Sequence, residues 1–212
     1  MNNTRESILS AALRLFARRG FEAASVSQIA EAVGLSKGAL YKHYASKRDL
    51  LNSILERMAR RDAEQAAAFD LPTGAACDMP EAYRAASLTQ IADFARAQFR
   101  YWTEDAFAAD FRRMLTLEQF GSAEMNALYQ QYIGAGPLGY VRDLLEALNV
   151  ENAADMAALF YAPMLLGYVL YDGAPDKAAV AAQVGSALDR AAALIAAAQR
   201  ENQRESEREV MI

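Results

Sequence analysis

The sequence predicts an all-α protein. Three observations carry that reading. Alanine is abundant, while only 11 Gly and 5 Pro interrupt 212 residues, a balance that favours helix over sheet. Apolar residues recur at i, i+3 and i+4 through most of the chain. No segment sustains the alternation of a half-buried strand.

The first fifty residues read as three short helices with clear punctuation. The first starts near Asn3, with Glu6 three residues on completing a capping box. Ile8, Ala11, Ala12, Leu15 and Phe16 share one face. Gly20 stands where a left-handed cap belongs. Ser25 and Gln28 form a second capping box, and Val26, Ile29, Ala30 and Val33 are the apolar stripe of the second helix. Gly34 ends it, and Ser36 caps a third helix carrying Leu40, Tyr41 and Tyr44. Helix, glycine-containing turn and helix over Ser25–Tyr44 make a helix-turn-helix. Ser46 and Asp49 open a fourth helix running to about Phe69.

Asp70-Leu-Pro-Thr-Gly and Cys77-Asp-Met-Pro form a break. From Pro80 helical spacing resumes, with one stripe at Ile91, Phe94, Ala95, Phe99 and Trp102 and another at Phe107, Phe111, Met114, Leu115 and Leu117. Gly121 ends that region. A short helix holds Met125, Leu128, Tyr129 and Tyr132, and Pro137 opens the next. Two long helices, roughly 153–171 and 176–199, close the chain before a polar tail. The expected organisation is about nine or ten helices in a helix-turn-helix domain (1–50), a C-terminal helical domain joined to it by the long fourth helix (51–200), and a tail (201–212).

Charge singles out the first part. Net charge is −5. Residues 1–50 nevertheless hold eight Lys/Arg against four Asp/Glu, and residues 51–212 hold fourteen against twenty-three. A positive N-terminal quarter on a negative body predicts an anionic partner for that quarter alone. In a helix-turn-helix the second helix enters the major groove tip first. Ser36, Lys37, Gly38 and Ala39 form that tip. Lys37 has the chemistry for guanine, the Ala39 methyl for a thymine methyl, and Gly38 allows close approach. Tyr41, Lys42, His43 and Lys47 lie behind it, in reach of phosphates, and Ser25 and Ser27 open the preceding helix.

These residues carry a family resemblance. The spacing of Ile29-Ala30, Gly34, Ser36, Gly38, Leu40-Tyr41, Tyr44 and Lys47 closely resembles the DNA-binding domain of TetR-family transcriptional regulators, over roughly residues 4–55. Ala39 stands where Thr or Ser is frequent, and Tyr44 where Phe is usual. The resemblance implies DNA-contacting roles for Lys37, Gly38, Ala39, Tyr41, His43 and Lys47. It also implies a helical C-terminal domain that dimerises and often binds a small effector.

The remainder supplies candidates for both tasks. Aromatic and methionine-rich helices between Ile91 and Tyr171 suit a hydrophobic or aromatic effector. Phe94, Trp102, Phe111, Met114 and Phe160 are candidate lining residues, and Arg112, Arg113, Glu118, Gln119 and Tyr129 candidate polar anchors. The last two helices are the expected homodimer interface. Their small residues are Gly167, Ala178, Ala182, Gly185, Ser186 and Ala193; Met156, Phe160, Met164, Val180, Val184 and Leu188 add apolar area. The expected protein is a repressor of a pseudo-palindromic operator. Two rival readings remain: a regulator whose C-terminal domain only dimerises or contacts proteins, and an enzyme with a vestigial helix-turn-helix.

Other chemistry finds little footing. Gly134-Ala-Gly136-Pro-Leu-Gly139 is a literal G-x-G-x-x-G, but the dinucleotide reading needs a preceding strand, and helical spacing precedes it. No cofactor and no catalytic residue is assigned. The one His lies in the basic motif, and a lone His with a single cysteine, Cys77, makes no metal site. No secretory signal is evident in residues 1–20. Met156–Tyr171, uncharged and interrupted by Pro163, reads as a buried helix rather than a membrane span. A cytoplasmic location is expected.

Overall fold

The computed structural model describes the backbone of residues 2–210 and the side chains of residues 4–200. The described residues form helices joined by turns and loops, without strands. The order is α1 (Asn2–Arg19), α2 (Val26–Ala32), α3 (Lys37–Tyr41), α4 (Lys47–Ala68), α5 (Pro80–Ala85), α6 (Leu88–Glu104), α7 (Ala106–Glu118), α8 (Ala123–Tyr132), α9 (Ala135–Ala147), α10 (Ala153–Tyr171) and α11 (Lys177–Val210). The caps fall where their chemistry places them. Ser25 and Gln28 form the reciprocal capping box of α2. Ser36 Oγ accepts from the Ala39 amide at the start of α3. Ser46 Oγ accepts from Asp49 N–H, and Asp49 Oδ2 accepts from Ala45 N–H, ahead of α4.

Four boundaries differ from expectation. Ser87 divides the helical run that begins at Pro80 into α5 and α6, its hydroxyl and amide bonded to Gln90. Asp105 caps α7 by accepting from the Phe107 and Ala108 amides. The backbone of the expected polar tail continues α11 as far as Val210, and residues 211–212 lie outside the described part. The glycine run at 134–139 joins α8 to α9, so a helix rather than a strand precedes it. Pro137 is the third residue of α9, not its first.

The chain divides into two compact units, and the division is not at residue 50. One unit contains residues 1–62 and 104–131; the other contains 63–103 and 132–212. Residues 104–131 therefore pack with the helix-turn-helix, because α7 lies against α1. The first unit is centred on Ile8, Leu13 and Phe16 of α1, Leu40 of α3, Leu50, Leu51, Ile54 and Met58 of α4, and Phe111 and Met114 of α7, each no more than 2% exposed. One face of each amphipathic helix supplies this core.

The second unit is built from α5, α6, α9, α10 and α11. Phe99 stacks on Tyr168 with centroids 5.3 Å apart and interplanar angle 15°. Gly167 lets that packing close. A Cβ there would stand 2.5 Å from Val184 Cγ2 and 2.7 Å from a Phe99 ring carbon, far inside van der Waals contact. Phe160, Met164, Val184 and Leu188, expected at a subunit interface, are inside this core at 5% exposure or less. The apolar residues left outside are Leu159, Leu165, Leu166, Val169 and Leu170 of α10 and Leu194 of α11. By length and composition, 153–171 and 177–200 would also suffice to cross a bilayer.

Asp62 lies near the end of α4 within the first unit. Its Oδ1 is buried without a hydrogen-bond partner. Burial raises its carboxyl from 3.8 to about 7, since desolvation penalises the charged form. A raised folded-state pKa means that folding favours the neutral acid. The associated stability is full below about pH 3.8 and is lost as pH rises through about 7. Asp62→Asn keeps the shape without the charge. It is expected to stabilise the protein by on the order of 1–3 kcal/mol at pH 8, with a gain that shrinks towards pH 4. Urea unfolding across that range measures it; a pH-independent difference contradicts the assignment.

Candidate nucleic-acid interface

The basic motif is a surface set on a rigid base. Ile29 and Leu40 are fully buried and Ala30 nearly so, and α2 packs against both α1 and α3. The tight turn between them passes through Gly34 at φ +68, a left-handed conformation that glycine adopts without strain. On this base Ser25, Ser27, Ser36, Lys37, Gly38, Tyr41 and Lys42 are exposed, and Ala39 and His43 half-buried. Both helices that carry them are short and begin on serine caps.

Two details point outward rather than inward. Tyr41 is 44% exposed, and Lys37 Nζ lies 6.0 Å from its ring centroid, so cation and aromatic form one surface patch. At Gly38 a Cβ would meet nothing within 4 Å. The fold therefore does not require glycine there. A glycine in a helix costs about 0.5–1 kcal/mol relative to alanine, and no internal contact offsets it.

Tyr44 and Lys47 have inward roles. The Tyr44 hydroxyl donates to the Arg5 carbonyl at 3.2 Å, and the Arg5 guanidinium lies 4.7 Å above its ring. The hydroxyl that distinguishes it from phenylalanine thus ties α3 to the start of α1 instead of reaching the surface. Lys47, expected at phosphate, turns its ammonium to the α1–α2 turn, donating to the Phe21 carbonyl at 2.6 Å and the Glu22 carbonyl at 3.0 Å. Its Nζ also lies 4.5 Å from the Phe21 ring centroid.

The division into two units also separates the candidate effector residues. Phe94, Trp102 and Phe160 belong to the second unit; Phe111, Arg112, Met114, Glu118 and Tyr129 belong to the first. Phe111 and Met114 are fully buried in its core, and Arg112 is buried beside them in sequence. Glu118 is no interior anchor. Its carboxylate accepts from the Phe21 amide at 2.7 Å. Sequence spacing could not show this, because 97 residues separate the partners.

Residues 8–54 match the family model for bacterial regulatory proteins of the tetR family. That segment resembles the DNA-binding part of TetR-family regulators. The chain is 46% identical over 56 residues to the HTH-type transcriptional regulator YerO of Bacillus subtilis and 45% identical over 53 residues to AcrR of Shigella flexneri. These matches cover 26% and 25% of the chain. They span only 19% of YerO and 25% of AcrR. The likeness in fold extends further. The SmeT–triclosan complex superposes with a TM-score of 0.65 at 20% identity, covering 91% of each chain. The layout of a helix-turn-helix followed by a helical C-terminal part is thus a fold shared over nearly the whole chain.

Lys47→Gln is expected to destabilise the protein by about 1–3 kcal/mol, through two carbonyls left without a charged donor. The check is urea unfolding; an unchanged midpoint contradicts the inward role.

Proposed function

We propose that the protein is a DNA-binding transcriptional repressor acting as a homodimer. The observation that carries this reading is the exposed tip of α3, where Lys37 and Tyr41 surround a glycine that the fold itself does not require. Lys37 and Gly38 meet base edges in the major groove, while Tyr41, Lys42, His43 and the α2 serines meet phosphate. The positive balance of residues 1–50 against the negative remainder supports a single nucleic-acid face. Two such faces in a dimer read a pseudo-palindrome with half-sites about one helical turn apart.

The exposed stripe of α10 supports dimerisation through α10 and α11. Leu159, Leu166, Val169 and Leu170 are 47–74% exposed, and Leu194 of α11 is 57% exposed. A contiguous apolar surface of this kind calls for a partner surface, and C2 symmetry supplies an identical one. The contact residues are therefore these leucines and Val169, while the small residue Gly167 serves packing within the subunit.

For the effector we propose a hydrophobic or aromatic small molecule. SmeT, the repressor of a multidrug efflux pump of Stenotrophomonas maltophilia, shares the fold and has been solved with triclosan, which supports that class. Binding would oppose DNA binding with a coupling free energy on the order of 1–3 kcal/mol.

Gly38→Ala separates fold from function. It is expected to leave thermal stability equal or slightly raised, yet to weaken binding to a duplex selected by the wild-type protein by about tenfold or more. Lys37→Ala is expected to reduce the salt dependence of that binding by about one unit of slope. Unchanged affinity in both variants contradicts the interface. Leu166→Glu is expected to shift sedimentation from dimer to monomer at micromolar concentration; a dimer that persists contradicts the proposed contact face.

A further inference from the structure

The turn between α1 and α2 is held by atoms from two other helices of the first unit. On one side the Phe21 amide donates to Glu118 Oε1, at the C-terminal end of α7. On the other side the Phe21 carbonyl accepts from Lys47 Nζ of α4. The Phe21 ring lies edge-on to Phe16, centroids 5.1 Å apart, and beneath both Lys47 and Arg48. Arg48 pairs with Glu124 in the first turn of α8 at 2.5 Å. At the opposite end of α7, Phe107 lies 3.7 Å beneath the Arg57 guanidinium, which pairs with Glu6 of α1. One end of α7 is thus tied to the turn that precedes α2, and the other to α4 and α1.

Gly20 shows how closely the contact is built. Its φ of +85 already favours glycine, and a Cβ there would stand 2.4 Å from Glu118 Oε1. The carboxylate occupies the space a side chain would need. A carboxylate accepting from a backbone N–H is a charge-assisted bond, stronger than its neutral counterpart. Glu118 is one of the candidate polar anchors of an effector site, and its carboxylate here engages the Phe21 amide.

We propose that Glu118 is a positioning residue for DNA recognition. Its carboxylate sets the Phe21 peptide and, four residues later, the point at Ser25 where α2 begins. A displacement of α7 is then passed to α2 and α3 through this bond, by a route separate from the continuous helix α4. The proposal rests on the DNA-binding reading above for its purpose, but the bond itself is tested without DNA.

The test is hydrogen–deuterium exchange of the free full-length protein, followed by mass spectrometry. In Glu118→Ala, peptides covering 20–33 are expected to exchange about tenfold faster, with α10 unchanged. Glu118→Gln keeps an acceptor oxygen in place and is expected to stay near wild type. Glu118→Asp withdraws the oxygen by one methylene and gives a milder change in the same direction should the alanine variant fail to fold. Wild-type exchange over 20–33 in both the alanine and aspartate variants overturns the proposal. The second readout uses a duplex enriched from a random-sequence library by the wild-type protein. Glu118→Ala is expected to lose about tenfold in preference for it over an unrelated duplex of equal length, and Glu118→Gln to retain it. Equal preference in the alanine variant overturns the positioning role. If the wild-type protein enriches no duplex, the DNA-binding reading fails, while exchange still decides whether Glu118 holds the turn.

Discussion

One residue, Phe21, carries more structural consequence than its place in a surface turn suggests. Its N–H is taken by Glu118 and its C=O by Lys47, so helices from distant parts of the chain meet on the two peptide groups that flank one Cα. Because each peptide is planar and the residue before Phe21 is in the left-handed region, the turn has little freedom to relax around a lost partner. The placement of α2, and of α3 behind its glycine turn, follows from this. The same constraint explains why Lys47 does not point outward, although it belongs to the basic motif.

The proposed DNA-facing surface shows a division of labour between neighbouring residues. Leu40 and Tyr44 face inward, while Lys37, Gly38 and Tyr41 face outward. In a helix of only five residues, Lys37–Tyr41, propensity contributes little, and stability comes from its cap and from burial of Leu40. A short, firmly seated helix can tolerate an unfavourable glycine at its tip. That tolerance leaves room for recognition.

In the second unit, glycine and bulky apolar residues exchange the roles that composition suggests. Gly167 brings α10 against Val184 and Phe99. The large residues Leu166 and Val169 are left on the outside. Small residues mark close helix approach, but helical spacing does not say whether the approaching helix belongs to the same subunit. Asp62 adds a further tension: a carboxyl pushed up to about 7 by burial reduces stability at neutral pH, in a helix that spans the boundary between the two units.

Much of this protein is determined locally, and so was readable from the sequence. The all-α class, the caps at Ser25, Ser36 and Ser46, the left-handed glycines at 20 and 34, and α10 at Ala153–Tyr171 follow from residues within one or two turns of each other. The exposed recognition tip is equally local, since Leu40 fixes by periodicity which side of α3 faces out. Only the tertiary structure decided that α7 packs with the helix-turn-helix, that Lys47 and Tyr44 serve the fold, and that Glu118 reaches the Phe21 amide. It alone decided which apolar face of α10 remains uncovered. The physical reason is the same in each case. A helix's period gives its faces but not its neighbours, and a side chain with several good partners is assigned only when distant segments are brought within hydrogen-bond range.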